Sequence, residues 1–345
     1  MKLNYIFFVI VSLHIHAHSI GQAKPYYTQY ILNNYILNPA LSGIENYTDV
    51  KLSYKDQWAG IDGAPTTQYF TIHSPIGKSD TRTSINSYDI KGINPRGKEY
   101  WKEYTAPDPH HGIGMTLIND LAGYINRWSI SGTYAYHTPL SINTSLAAGL
   151  SVGMSSVNID RTKINFGELD PNDPVVGYSN SELKKIRPEI GAGLWLYSPR
   201  YFAGVSILNI IPDKQRFVSN ANYGSSFTPN YFITGGYRIN FADDFNIIPS
   251  FMYQYWESQL SGLHLNTKIQ YRDILWIGAG YRFSNLIAGY SSYLGINVAN
   301  AFNLSYSYEV ATTSRLKNYT GNTNELLIGI IFGNKYGDSC PKNVW

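Results

Sequence analysis

The sequence predicts an all-β fold: a transmembrane antiparallel β-barrel of about 14 strands with a short N-terminal helical collar or plug. Three observations carry this. Apolar and polar residues alternate with a period of two through most of the chain. The alternating segments run to roughly ten to thirteen residues, against about five or six for an ordinary strand. The composition joins few charges to many aromatics and glycines. Charged residues are 15% of the 345, well below the roughly 25% of a typical soluble protein. Aromatics are also 15%, from 30 Tyr, 14 Phe and 7 Trp, with 30 Gly beside them. Mean hydropathy is nevertheless −0.23, which suits strands with one greasy and one polar face.

The alternation is explicit. Leu263, Leu265, Thr267, Ile269 and Tyr271 interleave with His264, Asn266, Lys268, Gln270 and Arg272. Phe302, Leu304, Tyr306, Tyr308 and Val310 interleave with Asn303, Ser305, Ser307 and Glu309, and Trp128, Ile130, Gly132, Tyr134 and Tyr136 with Arg127, Ser129, Ser131, Thr133 and His137. Successive strand side chains point to opposite faces. In a barrel the apolar face meets lipid and the polar face lines the lumen. The segment lengths match the 9–11 residues that a tilted membrane strand needs. Trp58, Trp128, Trp256, Trp276 and Tyr281 fall near segment ends, where amphipathic rings are expected to sit at the bilayer interface.

Segments are expected near 47–58, 65–76, 112–120, 124–138, 143–156, 187–198, 201–211, 229–241, 245–256, 262–272, 274–284, 286–297, 300–312 and 324–333. An even count of fourteen fits a single-chain bacterial barrel. With a periplasmic N-terminus, the tight turns near 139–142, 198–201, 242–245 and 272–274 face the periplasm. The long polar connections 157–186, 212–228 and 313–323 then face outward. Residues 77–111 break this parity, either as a long periplasmic insertion that docks a periplasmic partner or as a miscounted strand.

The chain therefore divides into a signal peptide over 1–21, a collar or plug over 22–46, the barrel over 47–333 and a tail over 334–345. Lys2, the apolar core Tyr5 to Leu13 and Ser19-Ile20-Gly21 have the order of a cleavable signal. Its core is too short to span a bilayer. The plug leads to Asn38-Pro39-Ala40-Leu41-Ser42-Gly43, which reads as one helical turn with its own stops: Asn38 at the N-cap, Pro39 at the first helical position and Gly43 as the left-handed C-terminal residue. Upstream, Tyr27, Ile31, Leu32, Tyr35 and Ile36 fit a short amphipathic helix at the barrel base or an extended segment inside it.

Chemical motifs are weak. Gly149-Leu150-Ser151-Val152-Gly153 matches G-x-S-x-G but lies inside a strand rather than at a strand-to-helix turn. His110 and His111 are adjacent and diverge, and Asp170, Asn172 and Asp173 lack the Gly and terminal Glu of a calcium loop. The single Cys340 excludes an intramolecular disulfide. Arg127, Glu189, Arg238, Lys268, Arg272, Arg282 and Glu309 are expected to form a charged network in the lumen. The residues call for no catalytic group, metal or cofactor. A net charge of +3 gives no basis for nucleic-acid binding.

The order Gln29-Tyr30, then Asn38-Pro39-Ala40 with Gly43, then Gln57-Trp58, Gly60, Gly63-Ala64-Pro65 and Thr67-Gln68, then His73 with Pro75, resembles the PorP/SprF proteins of the type IX secretion system of Bacteroidetes. Ile118-Asn119-Asp120, Tyr134 to Leu140, and Cys340-Pro341 with Trp345 fit the same pattern. The resemblance implies a non-enzymatic outer-membrane component whose partners are type IX subunits, the C-terminal domain of a secreted adhesin such as a gliding adhesin, and outer-membrane lipid. The residues singled out as partner-binding or structural are Asn38, Pro39, Gly43, Gln57, Trp58, Asp62, Gly63, Pro65 and Gln68. The alternative is an outer-membrane channel for hydrophobic small molecules, since the NPA turn loosely resembles that of fatty-acid transporters. The polar inner faces at 262–272 and 300–310 speak against it.

Overall fold

The computed structural model describes residues 26–78, 106–160, 184–256 and 261–333, apart from 212, 217–223, 228, 243, 273, 285–287, 299–300 and 314–319. Among these, no helix is long and apolar enough to cross a membrane, and the chain crosses with strands. The wall strands are β1 (Thr48–Asp56), β2 (Thr66–Ile76), β3 (His110–Ala122), β4 (Ile125–Ser141), β5 (Thr144–Ile159), β6 (Lys184–Tyr197) and β7 (Tyr201–Leu208). They continue with β10 (Asn230–Tyr237), its two-residue extension β11 (Ile239–Asn240), β12 (Phe245–Trp256), β13 (Gly262–Tyr271), β14 (Leu275–Ser284), β15 (Gly289–Val298), β16 (Phe302–Ala311) and β17 (Thr323–Phe332). Every strand pairs antiparallel with its sequence neighbour, and β1 pairs with β17 from Thr48↔Phe332 to Asp56↔Asn324. With β10 also paired to β12, the sheet closes into a fourteen-strand barrel and leaves no edge within lipid.

All fourteen expected segments are present, with ends moved by a few residues. Where the sequence predicts only a long loop, the β7–β10 connection adds a hairpin, β8 (Asp213–Arg216) with β9 (Gly224–Phe227). The tight turns after β4, β6, β11 and β13 gather at one end together with the start of β1 and the end of β17, the periplasmic end of an outer-membrane barrel, while the two-residue β3–β4 turn, Gly123-Tyr124, lies at the other. One row of paired residues runs from Asp49 at the foot of β1 to Gly191 midway along β6 and Leu208 at the top of β7, so the strands tilt strongly.

Burial confirms which face is which. Leu265, Ile269, Leu304 and Tyr306 are exposed on the outside, while His264, Asn266, Lys268, Ser305 and Glu309 are buried inside. Three positions depart from expectation. Trp256 and Trp276 are not interfacial; both share the inward parity of their strands and are buried in the lumen. The interfacial rings are mainly Tyr and Phe instead: Tyr134, Tyr136, Tyr237 and Phe245 towards the periplasmic end, and Tyr231, Tyr255, Phe283 and Tyr290 towards the other. Arg272 is not in the lumen either. It occupies the β13–β14 turn at φ 48 and pairs at the surface with Asp244, Nε to Oδ1 2.9 Å, because the strand ends at Tyr271 and the alternation ends with it.

Candidate functional site

The lumen is filled by residues 26–47, which thread it from the long-loop mouth to the periplasmic end and there become β1. The segment is neither an α-helix nor fully extended. It makes three 3-10 turns, Tyr30–Leu32, Asn34–Ile36 and Pro39–Leu41. Asn33, at φ −148 and ψ 63, separates the first two. Pro39, which cannot extend a preceding turn, opens the third. Tyr30, Ile31, Ile36 and Leu37 pack with Tyr69, Phe232, Met252, Trp276, Tyr293 and Leu327 of the wall, while Tyr35, Ala40, Leu41 and Ile44 pack with Trp195, Tyr197, Phe202 and Ile248. Each such aliphatic side chain contributes about 1.5–3 kcal/mol over a water-exposed position.

Two carboxylates hold the upper end. Glu325 of β17 accepts the backbone N–H groups of Thr28 at 3.1 Å and Gln29 at 3.2 Å. The Glu325 carbonyl accepts Gln29 Nε2 at 2.7 Å. Glu309 of β16 accepts Tyr26 Oη at 3.1 Å and Thr28 Oγ1 at 3.0 Å, and pairs with Arg282 of β14. Lys55 donates to the Tyr26 carbonyl at 2.6 Å. Lys55 Nζ and the Arg282 guanidinium lie over the Tyr26 ring, 3.2 and 3.7 Å from its centroid. Such buried charges persist because they are paired and hydrogen-bonded.

At the lower end the expected cap is present. Asn38 Oδ1 accepts the Ala40 N–H at 3.0 Å, and its Nδ2 reaches the carbonyls of Leu194 at 3.0 Å and Val205 at 3.2 Å. Gly43 is left-handed at φ 73 and donates its N–H to His73 Nδ1 at 3.3 Å. His137 Nε2 donates to the Ser42 carbonyl at 2.7 Å, with its ring stacked on His110. The wall is hollowed to receive this turn. A Cβ on Gly193 would meet Asn38, one on Gly149 would meet Pro39 and Ala40, and one on Gly112 would meet Ser42 and Gly43. The G-x-S-x-G stretch is therefore a seat: Gly149 admits the plug, and Ser151 lines the space beside it.

The second motif lies at the opposite mouth. Residues 57–65 form the β1–β2 loop, so the two halves of the motif are separated by the height of the barrel rather than joined in one collar. Gln57 is buried, and its N–H bonds the Pro65 carbonyl at 2.9 Å. Trp58 is strained at φ 60. Ala59 N–H bonds Asn322, and the Gly63 carbonyl takes the Gly123 N–H, tying the loop to its neighbours on both sides. Asp62 and Gly63 are exposed at the tip, and Gln68 faces outward from β2, paired across the ladder with Asn119. Glu325, Thr28 and Lys55 did not stand out in the sequence; only the inward parity of Glu325 against Asn324 and Leu326 could have marked it. The signal peptide, Asp170, Asn172, Asp173, Cys340, the tail and most of 77–111 lie outside the described residues.

The plug is off-centre. Between it and strands β3–β7, β10 and β12 lies a cavity of about 150 Å³. Asp120, Arg127, Arg187 and Glu189 line it together with Ser131, Ser151 and Ser155, and Leu37, Phe232 and Met252 line it on the plug side and opposite wall. Arg187 donates to Ser155 Oγ at 2.8 Å and to Glu189 at 3.0 Å.

A closed fourteen-strand barrel with lipid-facing apolar strands, interfacial rings and a lumen stoppered by its own N-terminal segment defines an integral outer-membrane barrel protein. Residues 19–330 match the family described as type IX secretion system membrane protein PorP/SprF, and the chain belongs to that family. It is thus an outer-membrane component of type IX secretion. No curated protein matches. Among solved structures, it is similar to the outer membrane protein Omp33 of Acinetobacter baumannii (10% identity, 84% of this chain and 100% of that one, TM-score 0.46). It is also similar to the monoaromatic hydrocarbon channel CymD (13%, 90% and 94%, 0.48) and the toluene transporter TbuX of Ralstonia pickettii (10%, 88% and 93%, 0.46).

Proposed function

We propose that this chain is a non-enzymatic docking component that supports secretion or surface attachment of a large cell-surface protein, such as a gliding adhesin. It does so by binding that protein's C-terminal domain, other secretion subunits, or both. The observation that carries the reading is the stoppered lumen. With residues 26–47 bonded to the wall at top, middle and bottom, a secreted chain has no passage through the barrel, and what remains for partners is its two mouths. The exposed tip of the β1–β2 loop, with Asp62 and Gly63, belongs to the outer mouth. Asn38, Pro39 and Gly43 serve it indirectly by fixing the plug. The 77–111 connection is assigned to a periplasmic partner.

The alternative channel for hydrophobic small molecules finds little support in a cavity walled by two arginines, two carboxylates and serines. Deleting the gene and following surface display tests the proposal, together with gentle-detergent purification of the tagged protein. Loss of one adhesin from the surface, and its recovery or that of secretion subunits with the barrel, is the expected result. Unchanged display and repeated recovery of a lone barrel overturn it.

A further inference from the structure

The lipid-facing wall carries a polar interruption. Across five strands, one row of paired residues reads Leu326 of β17, Tyr54 of β1, Gln68 of β2, Asn119 of β3 and Trp128 of β4. All five share the outward parity of their strands, and Gln68 and Asn119 are exposed. Two residues lower, Ile328, Leu52, Phe70 and Leu117 form the next outward row. The two amides therefore stand side by side, with an aromatic ring at either end of the pair and apolar side chains beneath. These residues line a groove of about 580 Å³, and no residue lining it is charged.

The register sets the depth of this groove in the membrane. Ile76, His111 and Tyr136 form another outward row, which includes a ring of the periplasmic interface. Gln68, Asn119 and Trp128 lie eight residues further along the same three strands. For strands tilted by about 40°, that separation is about 20 Å along the membrane normal. The lipid-facing band of such a barrel is about 25 Å tall, so the amides sit just inside its outer boundary. At that level the acyl chains of the outer leaflet join their headgroups. Among the described residues neither amide has a hydrogen-bond partner, and an amide left unpaired towards hydrocarbon is costly.

We propose that this groove binds one outer-leaflet lipid whose acyl chain is joined to its headgroup by an amide, as in an N-acylated glucosamine lipid. The groove is continuous with the surface that the barrel presents to lipid, and that continuity names the class of occupant. The amide pair selects the linkage. A carboxamide is donor and acceptor together, so Gln68 beside Asn119 can answer both the N–H and the C=O of a linking amide. An ester linkage offers acceptors alone and leaves the two side-chain carbonyls unanswered. With no charge in its lining, the groove has no ion pair to offer a phosphate. Below the linkage the chain lies over Leu52, Phe70, Leu117 and Ile328, between Tyr54 and Trp128. This lipid site goes beyond the docking function proposed above, and either can fail alone.

The test uses the full-length protein in detergent, read by native mass spectrometry. The probes are lipid A, which carries amide-linked chains, and a phosphatidylethanolamine of matched chain length, whose chains are all ester-linked. The unmodified barrel is expected to hold one lipid A at least tenfold more tightly than the phospholipid. Gln68→Leu combined with Asn119→Leu keeps an apolar surface towards lipid and is expected to erase that preference. Leu265→Ala, on the lipid face of β13, should leave it unchanged. A photo-cross-linking residue at position 68 is expected to join the barrel to lipid in cells, which keeps the test open if the double variant fails to fold. Equal binding of the two lipids by the unmodified barrel overturns the site. So does an unchanged preference in the folded double variant, and so do cross-links from position 68 only to protein.

Discussion

Gly149 on the inner face of β5 meets Ala40 of the plug backbone to backbone; a Cβ on that glycine would overlap the Ala40 N and Cα. Plug and wall are fitted at this point by the absence of a side chain. Gly149→Val is expected to destabilise the barrel by about 1–3 kcal/mol, as overpacking does. Gly132→Ala, whose Cβ would meet nothing closer than Val152 O at 4.0 Å, should stay within about 0.5 kcal/mol of the original. Urea unfolding midpoints in detergent make the comparison, and equal midpoints for the two variants would remove Gly149 from the seat.

The Gly43 position separates backbone strain from crowding. Gly43 and Gly60 are both left-handed, at φ 73 and φ 92, but a Cβ on Gly60 meets nothing within 4 Å whereas one on Gly43 runs into Gly112. Gly60→Ala should lose only the left-handed penalty of roughly 1–2 kcal/mol. Gly43→Ala should lose clearly more, read in the same unfolding assay.

Asn38 both accepts and donates, so its two conservative variants should differ. Asn38→Ala removes an N-cap, typically about 0.5–2 kcal/mol, and leaves the Leu194 and Val205 carbonyls without the Asn38 donor. Asn38→Asp keeps the acceptor for Ala40 but sets a carboxylate against those two carbonyls. The Asp variant is expected to be the less stable of the two; the reverse order would show that the cap bond dominates.

Glu309 and Arg282 form a buried pair beneath Tyr26. Glu309→Leu alone strands the guanidinium and is expected to destabilise by roughly 3–5 kcal/mol. Adding Arg282→Met should recover most of that loss, since the uncompensated charge goes with it. A double variant no better than the single one would locate the damage in the lost Tyr26 and Thr28 contacts instead.

Closure of the lumen has an electrical signature. The unmodified protein is expected to show no steady ion conductance in a planar bilayer. Glu325→Ala, which removes the acceptor of the Thr28 and Gln29 N–H groups, should produce intermittent openings. Steady conductance by the unmodified barrel would overturn the stopper.

Alternation and segment length determined the wall: fourteen strands, their inward and outward faces, and the tight turns near 139–142, 198–201, 242–245 and 272–274 were all legible, because a strand's side-chain period is a property of the chain itself. The Asn38-Pro39 cap and the left-handed Gly43 were legible for the same local reason. Trp276 shows where that reading stopped. Its chemistry suits the bilayer interface, but its parity within β14 sends it inward against Gly295. The sequence also left undecided where the plug runs, which wall glycines admit it, that Glu325 holds its top, and that β6 outgrows β7. Those depend on contacts such as Thr28 with Glu325, hundreds of residues apart in the chain, and on the shared register of the closed sheet. Local periodicity carries no record of either, so only the tertiary structure could decide them.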